Sequence, residues 1–187
     1  RFSGDKSLTV ALNDGGEEEV TFENAIISTG ATPISLTNVD IDSERILYAK
    51  SALELEEIPD SLLVVGGGYI GLELGSVFGK LGSKVTVVEM MPGIMPGADR
   101  DLVKVFQKAN EKEVFQEILT STVVDDIEEV DGGLKVTMKS ADGDKGTNRS
   151  ETYSKVLLTV GHRPNTGDLS LEAAGVETTD RGFVAVD

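Results

Sequence analysis

Leu62-Leu63-Val64-Val65-Gly66-Gly67-Gly68-Tyr69-Ile70-Gly71-Leu72-Glu73 is the stretch on which the fold turns. Four consecutive apolar residues run straight into three glycines, the pattern of a strand buried on both faces of a parallel sheet. Beyond them Ile70, Leu74, Val77, Phe78 and Leu81 recur at helical spacing, and Gly82 closes the pattern as helix ends commonly do. Lys84 to Glu89 is strand-like again. Residues 62–89 therefore read as strand, glycine turn, helix, strand.

Inside that unit lies Gly66-x-Gly68-x-x-Gly71. A glycine-rich hexapeptide alone is weak evidence, because many serve only as turns. Here a buried strand precedes it, a helix follows it, and Glu89 ends the next strand 23 residues after Gly66, close to the spacing of a ribose-binding acid. The context predicts a dinucleotide site. Gly66 permits the tight turn, Gly68 lacks the Cβ that would hold a pyrophosphate off the backbone, and Gly71 lets helix and strand approach. The corner is completed by Gly67, Tyr69 and Ile70, with the amides of Tyr69 and Ile70 and the positive end of the helix dipole facing the phosphates. Gly75 serves either the same close packing or is a tolerated helix glycine.

Glu89 sets the cofactor. A carboxylate accepts hydrogen bonds from both ribose hydroxyls and repels a 2′-phosphate, so NAD is expected over NADP. Met90 and Met91 are neutral, and Arg100 lies eleven residues on, so no obvious cation compensates a phosphate. The bland alternative is a glutamate that faces solvent at a strand end. Tyr69 and Glu73 occupy the first helical turn, where a tyrosine could cover a nicotinamide pocket and a semi-buried acid would need a cation partner. Simple packing for Tyr69 and a solvated face for Glu73 compete with those roles. His162, the single histidine, sits in a turn with no nucleophile or second histidine, and is expected to lie near the cofactor rather than act as a base. No catalytic residue and no metal site are expected in this chain.

Composition narrows the partners. The 187 residues are 39% hydrophobic, and 33 acids against 17 bases give a formal charge of −16. That field repels phosphate backbones and anionic lipid surfaces, so neither nucleic acid nor membrane is an expected partner. No apolar run approaches the roughly 18 residues a membrane helix needs. Cysteine is absent, which excludes disulfides and redox-active thiols within the chain. The start, Arg1-Phe2-Ser3-Gly4, has neither an initiator Met nor a leader pattern and reads as a chain entered midway.

Elsewhere, β-prone runs at Leu8 to Leu12 and Val20 to Ile27 flank the turn cluster Asn13-Asp14-Gly15-Gly16 and predict a hairpin. Residues 34–60 read as a polar linker with one helical patch, Ser51 to Glu56. Asp99 is placed to cap a helix carrying Leu102, Val105, Phe106 and Ala109 on one face. Residues 117–160 read as a small antiparallel meander, with runs at Ile118 to Ile127 and Leu134 to Met138 before the closing strand Val156 to Val160. Ser140 to Ser150 is expected to form a polar mobile tip.

Taken together, Val65 to Glu73, Val88-Glu89-Met90 and Gly97-Ala98-Asp99-Arg100-Asp101-Leu102-Val103-Lys104-Val105 closely resemble bacterial dihydrolipoamide dehydrogenase. Ala25-Ile26-Ile27-Ser28-Thr29-Gly30-Ala31-Thr32-Pro33 looks like that family's exit strand from an FAD domain, and Val160-Gly161-His162-Arg163-Pro164-Asn165 looks like the matching return. The resemblance covers essentially the whole chain. It implies an α/β fold: a Rossmann-like NAD-binding domain with a parallel sheet flanked by helices and a small antiparallel β-meander, plus β remnants of an FAD domain. By this resemblance residues 1–36 are strands of the FAD-domain meander, 37–59 a linker, 60–165 the NAD-binding domain, and 166–187 a return segment.

The resemblance also carries roles. Gly66, Gly68, Gly71 and Glu89 fit NAD-binding positions; Thr159, Val160 and Gly161 fit the stretch approaching the nicotinamide; Val123 resembles a position beside the adenine. His162 stands where many relatives have Arg, and Glu73 matches an acid that pairs with a lysine outside this chain. The implied parent is a cytoplasmic, homodimeric enzyme that uses FAD and a disulfide to oxidise dihydrolipoyl groups on lipoyl domains of 2-oxo acid dehydrogenase complexes and reduces NAD. The fragment alone would be inactive. Rival readings are the NAD domain of an NADH oxidase or another disulfide reductase, and a stand-alone NAD-binding module.

Overall fold

The computed structural model describes residues 1–37, 41–111, 113–143 and 148–186. In chain order the strands are β1 (Phe2–Gly4), β2 (Ser7–Ala11), β3 (Glu17–Thr21), β4 (Ala31–Pro33) and β5 (Ile46–Leu47), then helix α1 (Ala49–Leu53). There follow β6 (Ser61–Val65), α2 (Tyr69–Lys80), β7 (Lys84–Val88), α3 (Arg100–Asn110), β8 (Phe115–Leu119), β9 (Thr122–Val130), β10 (Gly133–Ser140), β11 (Arg149–Tyr153), β12 (Lys155–Leu158) and β13 (His162–Pro164). The chain divides into two compact units, residues 34–160 and residues 1–33 with 161–187.

The larger unit is built on a five-stranded parallel sheet in the order β5-β12-β6-β7-β8. Its central strands are mostly apolar because each face meets a different partner, with Thr86 of β7 the buried polar exception. Leu62 and Val64 of β6, Val85 and Val87 of β7 and Leu157 of β12 join Leu72, Leu74, Phe78, Val103 and Phe115 in one core. Leu63, Val65, Val88, Val156 and Leu158 point the other way, into a second core with Val124, Ile127, Leu134, Val136, Met138 and Tyr153. Helices thus cover one face, and the antiparallel sheet β11-β10-β9 covers the other. Fully burying one such Val or Leu contributes roughly 1.5–3 kcal/mol, so burial of Leu62 to Val65 on both faces is a large local contribution to stability.

Several expectations need correction. The run Ile118 to Ile127 is two strands, not one: β8 belongs to the parallel sheet, and the chain leaves it at Ser121, whose φ is +47°, to start β9. The segment Arg149–Tyr153 is a strand rather than the end of a polar tip; residues 144–147 of that tip lie outside the described residues. In α3 the buried side is Val103 with Phe106, while Leu102 and Val105 are exposed. The stretch read as a linker supplies edge strand β5 and helix α1, and its residues 38–40 lie outside the described residues.

In the smaller unit β1-β2-β3 form an antiparallel sheet, so the expected hairpin gains a third strand, and β3 stops at Thr21. β4 pairs antiparallel with β13, placing His162 opposite Pro33. Thr29 and Thr32 hydroxyls bond Asn165, at 2.8 and 2.7 Å, across the same join. Among the described residues no helix is long and apolar enough to cross a membrane.

Candidate functional site

The glycine corner is built by close approach on one side and open space on the other. Gly66 sits at φ +107°, and a Cβ there would lie 2.5 Å from the Thr159 carbonyl oxygen. A Cβ on Gly71 would lie 2.3 Å from the Gly66 carbonyl and 2.5 Å from Thr159 Oγ1. Both positions are closed to any side chain. Gly68 is the reverse: a Cβ there would meet nothing within 4 Å, so its bare backbone faces free space. Gly75 would place a Cβ 3.2 Å from Phe115 and 3.3 Å from Val64, which selects the close-packing reading of that residue.

Thr159 holds this turn together. Its amide donates to Val65 O at 2.8 Å, and its hydroxyl lies within bonding distance of Val65 O at 3.0 Å and Gly66 O at 3.1 Å. The turn feeds α2, whose N-cap Gly68 has no side chain to close the helix end. The first α2 bond to reach back is Leu72 N to Gly68 O at 3.1 Å. The amides of Tyr69, Ile70 and Gly71 therefore have no acceptor within the helix, and the partial positive charge of the helix start is left on the same side as the open face of Gly68.

Glu89 is 7% exposed, so it is not a solvent-facing strand end. Each carboxylate oxygen accepts one backbone amide, Oε2 from Gly67 and Oε1 from Met91, both at 2.7 Å. Both oxygens keep a lone pair for a further donor. The pocket behind it is tight, because a Cβ on Gly67 would stand 2.9 Å from Ile94 and 3.1 Å from Glu89 Cβ. Thr122 N donates to Glu89 O at 3.0 Å and Ser121 N to Met91 O at 3.0 Å, which brings the start of β9, with half-buried Val123, beside the acid.

The remaining candidates are spread more widely. Tyr69 is 73% exposed and Glu73 is exposed one turn on, so neither is packed within this chain. Val160 is exposed at the end of the larger unit, whereas Gly161 and half-buried His162 belong to the smaller unit. Sequence reasoning missed the clamping role of the Thr159 hydroxyl, the Met91 amide and the packing of Ile94 on Gly67. A hydroxyl next to an apolar strand end leaves no periodic signal, and a backbone donor leaves none at all.

Chemically the corner offers three amides without an acceptor in the helix, a helix dipole and a buried acid with spare acceptor capacity. Such a corner can accept an anion at the helix start and further hydrogen-bond donors, such as hydroxyls, at Glu89.

Residues 2–187 match the family described as Pyridine nucleotide-disulphide oxidoreductase. The mitochondrial dihydrolipoyl dehydrogenase of Dictyostelium discoideum is 42% identical over 188 residues, covering 100% of this chain and 38% of that protein. The dihydrolipoyl dehydrogenase of Vibrio parahaemolyticus is 41% identical with the same coverage. Among solved structures, the HOCl-induced flavoprotein disulfide reductase RclA from Escherichia coli superposes with a TM-score of 0.80 at 28% identity, over 100% of this chain and 40% of that one. The water-forming NADH oxidase from Lactobacillus brevis, bound to NADH, gives 0.72 at 25% identity, over 95% and 38%. The chain spans 38% of the length of the dihydrolipoyl dehydrogenases it matches.

Proposed function

This chain belongs to the pyridine nucleotide-disulphide oxidoreductase family, and from that premise we propose that it is the NAD(H)-binding region of a dihydrolipoyl dehydrogenase. The observation that carries the reading is the pairing of an open, uncapped helix start at Gly68 with the buried carboxylate of Glu89. In this reading the amides of Tyr69 and Ile70 bind the pyrophosphate, and Glu89 accepts the two hydroxyls of the adenosine ribose. Val123 lies beside the adenine, while Tyr69, Glu73, Thr159 and Val160 flank the nicotinamide end, after which the chain passes on to Gly161 and His162. We read the larger unit, residues 34–160, as the NAD-binding domain and the smaller unit, residues 1–33 with 161–187, as part of an FAD domain.

When bound, NAD supplies the hydride acceptor for electrons drawn from dihydrolipoyl groups through FAD and a disulfide. This chain's residues bind and orient; with no cysteine they offer no thiol to begin the reaction. The chain alone should therefore bind NADH and give no dihydrolipoamide-dependent NAD reduction. Parallel titrations with NADH and NADPH test the site. NADH should bind more tightly, and Glu89→Gln should narrow the gap. Binding of neither nucleotide, or preference for NADPH, overturns the reading.

The likeness to an NADH oxidase structure favours a second reading, the NAD domain of another flavin-dependent oxidoreductase. A CxxxxC pair in the FAD domain of the parent protein would discriminate in favour of the first.

A further inference from the structure

The loop between β7 and α3 is held by one side chain that the glycine corner does not require. Met95 lies in the left-handed region at φ +50°, a conformation that a non-glycine residue keeps only when its surroundings fix it. Both of its backbone groups are tied. Its amide donates to Gly67 O at 2.7 Å, and its carbonyl accepts from Ala98 N at 3.1 Å and from Arg100 Nη2. Arg100 also donates through Nη1 to Ile94 O and through Nε to Ala98 O, both at 3.1 Å. One planar fork thus grips three carbonyls of the loop, a geometry that lysine's single ammonium does not reproduce.

What the loop does follows from its inner side. Ile94 is fully buried against Gly67, and Gly67 donates its amide to Glu89 Oε2. The linkage runs from Arg100 to Ile94 and Met95, from these to Gly67, and from Gly67 to the acid. We propose that Arg100 is a positioning residue that sets the Glu89 carboxylate for the adenosine ribose and, with its fork committed to loop carbonyls, is withheld from a 2′-phosphate. Arg100 thereby contributes to cofactor choice twice, by aiming the acid and by not serving as the cation that NADP would need. The inference rests on the dinucleotide reading of the site.

The test compares the full chain with Arg100→Gln and Arg100→Lys. Amide exchange, measured by NMR without nucleotide, should accelerate at Met95 and Gly67 in Arg100→Gln. NADH affinity should fall about tenfold, the scale of losing hydrogen bonds from a charged group, with NADPH affinity falling less, so that the preference shrinks. Arg100→Lys should lie between. Equal loss of both nucleotides would mean a merely structural role, and loss confined to NADPH would make Arg100 a phosphate partner; either overturns the proposal, as does unchanged exchange at both amides. A wild-type chain that binds neither nucleotide overturns the dinucleotide reading and the cofactor half of the proposal, while the exchange measurement judges the grip on the loop by itself.

Discussion

Two glycines of one hexapeptide do opposite jobs, and alanine substitution separates them. At Gly71 a new Cβ would press on the Gly66 carbonyl, the Thr159 hydroxyl and Val64, two of them within 2.5 Å. Backbone cannot move aside cheaply, so Gly71→Ala should destabilise the chain by about 1–3 kcal/mol, as overpacked cores do. Gly68 has open space and φ −77°, ψ 176°, angles any residue adopts. Gly68→Ala should therefore melt within about 0.5 kcal/mol of wild type yet weaken NADH by about tenfold or more, the scale of one ill-placed methyl in a binding site. Thermal melts and titration of the two variants check the contrast; a destabilised Gly68→Ala, or one that binds NADH normally, would remove the phosphate from that corner. The spacing in the sequence names both glycines but does not say which contact each avoids. That depends on Thr159, which reaches the corner from the end of β12, more than eighty residues away.

At the level of elements, strands and helices with one strong periodic signal were legible: β6, α2 and β7 fall within a residue or two of their expected bounds, and Asp99 does cap α3, accepting the Asp101 amide at 2.9 Å. What failed was partner choice. Leu102 and Val105 look like a buried face, yet α3 turns Val103 and Phe106, which also recur at helical spacing, inward. β11 was missed because Arg149, Glu151 and Tyr153 spend their polar groups on one another and on β8. Arg149 bonds Glu117 at 2.6 Å and Glu151 at 2.9 Å, and the Tyr153 hydroxyl donates to Glu151 at 2.6 Å. Burial first, and then the bond to Glu151, raises the Tyr153 phenol well above its ordinary 10.0. The folded chain thus holds this proton more tightly than the unfolded chain does. Its contribution is complete below pH 10 and is lost as pH rises beyond that, at up to about 1.4 kcal/mol per pH unit. Chemical denaturation between about pH 8 and about pH 11 should show wild type losing stability faster than Tyr153→Phe; parallel curves would mean the phenol ionises freely in the native state.

For the whole molecule, the governing tension is electrostatic: a chain of charge −16 is read as binding a ligand that carries two phosphates. Sequence composition shows the unfavourable field but not the local remedy, which consists of backbone amides and so is invisible in a residue count. The two act over different distances. Repulsion from thirty-three acids is long-ranged, and raising salt from about 10 mM to about 150 mM shortens the screening length from about 30 Å to about 8 Å. Hydrogen bonds from the α2 amides act at contact and survive that change. NADH affinity should therefore stay level or tighten as salt rises through this range, the reverse of the steep loss seen when lysines and arginines hold phosphates. Calorimetric titration at both ionic strengths decides it. A strong weakening with salt would mean that cations, not the bare helix start at Gly68, carry the phosphates, and the acidic field would then have to be overcome by side chains that the glycine corner does not contain.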